Sequence, residues 1–189
     1  MAHAPSEIPA SATTAGDGIA TGTGPVTVDA YIDFLCPYCR AFEQASGAGL
    51  DQLIADRAIT LVYHPMAFLD DASTTRYSSR AGAASACAAD GGQFLAYARV
   101  LFQNQPPEGG AGLPDDELIA LAAAAGLAGP DFGDCVRSGL YLPWPDWVTQ
   151  SAAERGVEAT PTVLVNGAQV APDVTSIARA AGIDGGLRG

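Results

Sequence analysis

The sequence of 189 residues predicts an α/β domain that is interrupted by an all-helical insertion. Three observations predict this architecture. A βαβ order occupies residues 26–65, no strand pattern is found from residue 73 to about residue 138, and a β-hairpin with a closing helix follows residue 161. Because consecutive elements with short joins usually pack side by side, the βαβ half and the ββα half are expected to form one sheet.

The N-terminal half, residues 25–72, contains the βαβ unit. The segment VTVDAYIDF, Val26–Phe34, alternates apolar and polar side chains with a period of two, which is typical of a β-strand. The segment AFEQASGAGLDQLIAD that follows the CPYC stretch predicts a helix, and AITLVYHP, Ala58–Pro65, predicts a second strand that a proline ends. Short joins between these elements imply a parallel pair of strands with a crossover helix.

The insertion, residues 73–144, is predicted to be helical throughout. Four of its segments have helical spacing or composition, namely TTRYSSRAGAASACAAD, QFLAYARVLF, DDELIALAAAAG and PDFGDCVRSG. A further helix over about residues 146–154 leads out of the insertion. The middle of the chain is therefore expected to form a separate helical subdomain.

The C-terminal half, residues 145–189, returns to strands. Thr162–Val165 and Ala168–Val170 flank Asn166–Gly167, a pair that is typical of a two-residue hairpin turn. The segment PDVTSIARAAG then predicts a closing helix, which ends at a glycine.

Composition limits the classes of function. The net charge is −12 and the isoelectric point is near 4.2. Nucleic acids and anionic membrane surfaces need clustered cations, so neither is expected as a partner. No run reaches the roughly 18 to 20 apolar residues of a membrane helix. Residues 1–24 are mostly small and polar and include Pro5 and Pro9, and they predict a flexible linker.

The segment FLCPYCR carries the candidate chemistry. Cys36 lies where a strand ends and a helix begins, and Pro37 falls on the first helical position, where a missing N–H costs nothing. Unpaired N–H groups and the helix dipole there favour the thiolate of Cys36 over the thiol. Cys39 lies one turn further on the same face. The spacing predicts an exposed nucleophile in Cys36 and a protected, resolving thiol in Cys39.

Two other interpretations of this cysteine pair are a zinc half-site and a redox-inert disulfide. Zinc usually needs a second close pair of ligands, but Cys87 and Cys135 are 48 residues apart. The sequence therefore predicts no metal site and no cofactor. Tyr38 lies between the cysteines, and its place there indicates, together with Pro37, a role in tuning the dithiol.

At these residues the sequence resembles the DsbA-like proteins of the thioredoxin superfamily, in particular the extracytoplasmic branch common in actinobacteria. The resemblance covers nearly everything from Val26 onward, and its matching pieces are YIDFLCPYCRAFE, VYHPMAFLD, the helical block, CVRSG and GVEATPTVLVNG. It implies a thioredoxin fold with a helical insertion. It also implies a cis peptide bond at Thr160–Pro161, facing the CPYC stretch and offering backbone groups to an extended substrate.

The resemblance further implies a function and a location. The implied enzyme is a protein thiol–disulfide oxidoreductase, most simply an oxidase. Its expected substrates are unfolded or partly folded exported proteins with free thiols. A membrane redox partner is expected to reoxidise the enzyme after each cycle. The expected location is extracytoplasmic, by anchoring or secretion through a segment outside these residues. One departure concerns proton transfer, because many relatives carry a glutamate where this chain has Ala30, and Asp33 is the nearest acidic residue.

From the residues alone, Cys87 and Cys135 are either two buried free thiols or a disulfide that staples the insertion. The resemblance favours the structural disulfide, because relatives in this branch often carry such a pair. A loop of this size would stabilise the fold by roughly 4 kcal/mol in the chain-entropy model.

Three rival functions stay open. A reductase or isomerase would use the same residues with a different electron flow, and the direction depends on a reduction potential that sequence does not provide. CPYC also occurs in glutaredoxins, but these are much shorter and lack the helical insertion. A redox-inert module could instead hold extended peptides beside Pro161, although the presence of both cysteines argues against this.

Overall fold

The computed structural model describes residues 3–127 and 129–183. Residues 1, 2, 128 and 184–189 lie outside the described part, and they include the ends of the predicted linker and of the predicted C-terminal half. Among the described residues, no helix is long and apolar enough to cross a membrane.

A five-stranded sheet lies at the centre of the fold, in the order β1-β3-β2-β4-β5. Its strands are β1 (Ile19–Gly22), β2 (Val26–Ile32), β3 (Ile59–Pro65), β4 (Thr162–Val165) and β5 (Ala168–Val170). The β2–β3 pair is parallel and the other three pairs are antiparallel. The sheet thus joins the βαβ half and the ββα half through β2 and β4, which confirms the predicted fold class.

The crossover helix α1 (Pro37–Ala55) follows β2 after a short loop. Pro37 occupies the first helical turn, and Phe42, Leu50 and Leu53 supply the buried face. The helix packs against β3 and against the C-terminal helix α7 (Val174–Ala180). Its N-terminus, where Cys36 is the capping residue, is therefore set by the position of β2 in the sheet.

The helical block lies between β3 and β4 in the chain. Its helices are α2 (Tyr77–Asp90), α3 (Phe94–Gln103), α4 (Asp115–Leu121), α5 (Pro130–Ser138) and α6 (Pro143–Glu154). Helix α2 is almost entirely buried and packs against α3, α5 and α6. Its run of alanine and serine, AGAASACAA, allows this close packing because small side chains let helices approach one another.

The turn between β4 and β5 follows the predicted hairpin chemistry. Asn166 and Gly167 have positive φ angles of 47° and 83°, which is the geometry of a type I′ turn. Val165 pairs with Ala168 across the turn. Asparagine and glycine tolerate this backbone better than other residues do, so the sequence determines the register of the hairpin.

The prediction of a flexible linker over residues 1–24 is wrong for its later part. Ile19–Gly22 forms β1, an edge strand that pairs with β3. Upstream of β1, the carbonyl of Gly16 accepts a hydrogen bond from Trp144 Nε1 at 2.8 Å. The segment IATG is too short and too rich in small residues to show a strand pattern, so its conformation depends on its pairing with β3.

Candidate functional site

The N-terminus of α1 positions Cys36. Its backbone is extended, with φ −71° and ψ 117°, and its carbonyl accepts the N–H groups of Cys39 and Arg40 at 3.1 and 3.2 Å. These bonds close the first turn of the helix and leave the Cys36 side chain beside the helix start. The positive end of the helix dipole favours a negative sulfur at this position.

The two thiols of the CPYC stretch differ strongly in acidity. The pKa of Cys36 is lowered to about 6, first by a hydrogen bond from the Cys39 thiol and further by Thr160 and backbone N–H groups, against the effect of burial. Burial raises the pKa of Cys39 far above its ordinary value, and the adjacent Cys36 raises it further. At neutral pH the pair therefore contains a thiolate at Cys36 and a protonated thiol at Cys39.

Cys36 is less accessible than the sequence analysis expects. Its exposed fraction is 4%, against 0% for Cys39. The expectation of an exposed nucleophile treated the strand-to-helix junction in isolation, whereas in the fold the segment before β4 covers this junction. Both cysteines are free thiols in this structure.

The segment that covers Cys36 contains Thr160 and Pro161. The Thr160–Pro161 peptide bond is cis. The carbonyl of Thr160 accepts a hydrogen bond from the Cys36 thiol, with 3.3 Å between sulfur and oxygen. This proximity follows from the sheet, because Thr162 of β4 pairs with Tyr31 near the end of β2. A residue just before β4 therefore lies beside the loop that leaves β2.

Asp33 is a buried carboxyl group directly behind the dithiol. Its backbone N–H donates to Cys39 Sγ at 3.4 Å. Its carboxyl oxygens accept hydrogen bonds from Leu35 N, Leu69 N and Ser78 Oγ, at 2.8, 2.8 and 2.7 Å. Burial raises its pKa to about 6, despite these hydrogen bonds, and the charge of Cys36 raises it further. Asp33 thus titrates in the same pH range as Cys36.

No carboxyl group occupies the position of Ala30, which is fully buried in β2. Asp33 lies three residues later on the chain, and the hydrogen bond of its backbone to Cys39 brings it close to the Cys39 thiol. The sequence shows Asp33 as the nearest acidic residue but does not indicate its contacts. Its burial could not be read from strand alternation, which places Asp33 on the polar side of the strand.

Two exposed aromatic side chains lie near the dithiol. Tyr38, between the cysteines, is 76% exposed. Phe68 is about half-exposed, and it directly precedes Leu69, whose N–H is bonded to Asp33. Large exposed apolar side chains are typical of surfaces that bind partners. Phe68 was not singled out from the sequence, where only its place in MAFLD, just after the strand proline, could have indicated it.

The remaining two cysteines form a disulfide in the helical block, away from the CPYC stretch. Cys87 of α2 and Cys135 of α5 are bonded, with 5.9 Å between their Cα atoms. The bond joins two helices that already pack together. Within the part of the chain that the structure describes, no group of three or more His, Cys, Asp or Glu side chains could hold a metal ion.

Comparison with known proteins agrees with this geometry. A family model described as Thioredoxin matches residues 16–184. The oxidised DsbA of Mycobacterium tuberculosis is 36% identical, with a TM-score of 0.77, and the match covers 92% of this chain and 95% of that chain. The reduced DsbG of the same organism is also 36% identical, with a TM-score of 0.77 over 92% of this chain and 90% of the other.

The chain belongs to the DsbA-like thiol–disulfide oxidoreductases of the thioredoxin family. The predicted family and enzyme class are therefore confirmed. MdbA of Actinomyces oris, at 22% identity and a TM-score of 0.76 over 93% of this chain and 91% of that chain, shares the fold.

The curated relatives that match are longer proteins. Serine/threonine-protein kinase PknE of Mycobacterium tuberculosis is 34% identical over 160 residues, which are 79% of this chain and 28% of the kinase. The chain thus spans less than a third of the length of these relatives.

One residue of the oxidoreductase site has no recognisable signal in the sequence. Gln105 lies in the loop after α3, and its side-chain nitrogen donates to the carbonyl oxygens of Phe34 and Cys36 at 2.9 and 3.0 Å. A glutamine in a polar, proline-containing loop has no pattern that would indicate this contact. Only the packing of the helical block against the loop after β2 brings the three residues together.

Proposed function

We propose that this oxidoreductase acts as an oxidase, which introduces disulfides into exported proteins through Cys36 and Cys39. The observation that carries the proposal is the lowered pKa of Cys36, about 6. A stabilised thiolate stabilises the reduced dithiol, so the corresponding disulfide is a stronger oxidant. In a reductase the disulfide form of the cysteine pair is the more stable one, so the reduced pair readily gives up its two electrons.

The reaction consists of two thiol–disulfide exchanges. A client thiolate attacks Sγ of Cys36 in the Cys36–Cys39 disulfide, the Cys36–Cys39 bond breaks, and Cys39 leaves as a thiolate that takes up a proton. A second client thiolate then attacks the client sulfur of the mixed disulfide and releases Cys36 as a thiolate. The client loses two electrons and gains a disulfide, and the Cys36–Cys39 pair gains the two electrons as one thiolate and one thiol.

The asymmetry of the pair gives each cysteine its role in this sequence. Cys36, with the lower pKa, is the better leaving group, so the mixed disulfide resolves readily toward the oxidised client. Cys39 is fully buried, and a client sulfur cannot reach it as easily. In the reverse direction Cys39 would have to lose a proton first, which its raised pKa opposes.

The surroundings of Cys36 support recognition of unfolded clients. The Thr160 carbonyl accepts a hydrogen bond from Cys36 only when that cysteine is a protonated thiol, so the carbonyl is free of this bond in the thiolate and in a disulfide. An extended client could then use this carbonyl for a backbone hydrogen bond, as an added strand does. The exposed side chains of Tyr38 and Phe68 offer apolar contacts that do not depend on one client sequence.

The setting of this reaction is also part of the proposal. Disulfides form and persist in oxidising compartments, and the Cys87–Cys135 bond is compatible with such a location. We therefore place the protein outside the cytoplasm, with a membrane redox partner that removes the two electrons from Cys36 and Cys39 after each cycle. Clients are unfolded or partly folded exported proteins that still carry free thiols.

The test is the equilibrium of the CPYC pair with a glutathione buffer. A reduction potential of about −120 mV, as in strongly oxidising members of the superfamily, would support the oxidase. A value of about −270 mV, as in thioredoxin, would assign the reductase function instead.

A trapping experiment tests whether clients are used at all. Cys39→Ser should accumulate mixed disulfides through Cys36, because the resolving thiol is missing, whereas Cys36→Ser should accumulate none. Equal trapping by both variants would contradict the assigned roles. Peptide binding without any exchange in the wild-type protein would support the redox-inert module.

A further inference from the structure

A side-chain amide of the helical block is hydrogen-bonded to the loop that leads from β2 to Cys36. Gln105 Nε2 donates to Phe34 O at 2.9 Å and to Cys36 O at 3.0 Å. A primary amide nitrogen has two hydrogens and a carbonyl oxygen can only accept, so both hydrogens are used and the orientation of the amide is defined. The two accepting carbonyls belong to the residues on either side of Leu35, in the loop between β2 and α1.

The carbonyl of Cys36 is also the first acceptor of α1. It receives the N–H groups of Cys39 and Arg40, and Gln105 adds a third donor to the same oxygen. A carbonyl held by three donors cannot rotate without losing several hydrogen bonds. The peptide unit that follows Cys36 is therefore held from the helix side and from the helical block at once.

A second contact from the same part of the block holds the loop. Phe102, in the last turn of α3, packs against Phe34 with 5.1 Å between ring centroids. Phe102 and Gln105 are three residues apart, so the end of α3 and the start of its following loop hold the segment Phe34–Cys36 at two places. The side chain of Gln105 is half-buried, which weakens competition from water.

The bonds also have an electrostatic consequence. The amide hydrogens of Gln105 place the positive end of a dipole beside the peptide unit of Cys36. Such a dipole favours a negative charge on the nearby sulfur, as the backbone N–H groups of the helix start do. The amide carries no net charge, so it can stabilise the Cys36 thiolate without forming an ion pair with it.

We propose that Gln105 is a positioning residue for disulfide exchange, which holds the backbone of Phe34–Cys36 so that Cys36 Sγ stays at the helix N-terminus beside Thr160. This inference rests on the proposed function. The helical block thereby acts on the dithiol through Gln105, besides covering the sheet. Loss of the amide should change the acidity and reactivity of Cys36 and leave the core of the block intact.

Two substitutions and one control test the proposal. Gln105→Leu keeps a side chain of similar size and removes both donors, and Gln105→Glu keeps the shape but places a carboxylate against two carbonyl oxygens. Gln103→Leu is the control, because Gln103 lies two residues away and its side chain is exposed. Folding of each variant is checked by circular dichroism and thermal unfolding.

The primary measurement is the thiolate absorbance of the reduced protein as a function of pH, which requires no client and no turnover. The pH at which half of Cys36 is ionised should be higher in Gln105→Leu than in the wild type, and higher still in Gln105→Glu. In Gln103→Leu it should match the wild type. At a pH below the wild-type midpoint, alkylation of Cys36 should slow by about fivefold in Gln105→Leu, the effect of losing about one hydrogen bond. The rate of oxidation of a dithiol peptide should fall in the same order.

The possible outcomes separate this inference from the proposed function. Unchanged Cys36 titration and alkylation in folded Gln105→Leu and Gln105→Glu, with lower thermal stability alone, would overturn the positioning role. A shifted titration in a protein that fails to oxidise any dithiol peptide would support the positioning role and contradict the proposed oxidase. An equal shift in Gln103→Leu would show that the effect is not specific to the amide, and would also overturn the proposal.

Discussion

The thiol of Cys36 donates a hydrogen bond to the backbone carbonyl of Thr160, although 124 residues separate the two in the chain. The antiparallel pairing of β4 with β2 brings them together. The same cysteine receives a hydrogen bond from the Cys39 thiol and lies at the start of α1. The hydrogen bond from Cys39 and the position at the helix start favour the thiolate at Cys36.

Reduced protein should react with about one equivalent of iodoacetamide at pH 7, and the label should be found on Cys36. With a pKa of about 6, roughly nine-tenths of Cys36 is thiolate at pH 7, against a few per cent for an ordinary cysteine. The rate of alkylation of Cys36 should increase with pH and level off above about pH 7. Mass spectrometry of the labelled peptides identifies the site, and Cys36→Ser should show no fast phase. Preferential labelling of Cys39 would reverse the roles.

The stability of the reduced protein should rise with pH between about 6 and about 8.5. The pKa of Cys36 is about 6 in the folded state and about 8.5 in the unfolded state, so the unfolded chain binds more protons across this window. The free energy of unfolding therefore increases with pH here, and this contribution is lost as the pH falls through 6.

Asp33 has the opposite effect on stability between about pH 3.9 and 6. Its raised pKa makes the folded state bind more protons than the unfolded state, so its contribution to the free energy of unfolding falls as the pH rises through this range.

Urea denaturation of the reduced and oxidised forms at several pH values measures this dependence. The rise between pH 6 and 8.5 should be absent from the oxidised protein, which has no free thiol at Cys36. It should also be absent from reduced Cys36→Ser. An equal rise in both redox forms would assign it to groups outside the dithiol.

Asp33→Asn should narrow the titration curve of the Cys36 thiolate and lower its midpoint pH. In the wild-type protein the two groups titrate in the same range and each charge opposes the other, so the thiolate absorbance should change over a broader pH range than one independent group would. Without the carboxylate, the curve should approach a single step, with a midpoint lower by about one pH unit or less. Asp71→Asn is the matched control, since Asp71 is exposed on the surface. A higher midpoint in Asp33→Asn would contradict this coupling.

Replacing Cys87 and Cys135 together by alanine should lower the free energy of unfolding by about 4 kcal/mol, the chain-entropy value for a separation of 48 residues. The bond joins α2 and α5, so its loss should loosen the helical block first. The titration of Cys36 should stay nearly unchanged, because neither residue contacts the dithiol. Thermal unfolding and thiolate absorbance measure the two effects separately, and a large shift in the titration would show that this disulfide influences the dithiol.

Local patterns in the sequence were sufficient for most of the secondary structure. The alternation in Val26–Phe34, the proline after Cys36 and the pair Asn166–Gly167 each act on neighbouring backbone, and the structure contains the corresponding strand, helix start and turn. β1 was missed for the same reason. Its short segment of small residues has no preference of its own, and hydrogen bonds to β3 determine its conformation.

The sequence by itself determined the order of the elements from β2 onward and the position of the cysteine pair at the start of a helix, because these depend on side chains a few residues apart. Only the tertiary structure decided the surroundings of the two sulfurs. The burial of Cys36 under Thr160, the contact of Asp33 with Cys39 and Ser78, and the bonds from Gln105 involve residues that mostly lie far apart in the chain. Acidity in a buried site depends on solvent exclusion and on dipoles through space, and both are properties of the packed fold.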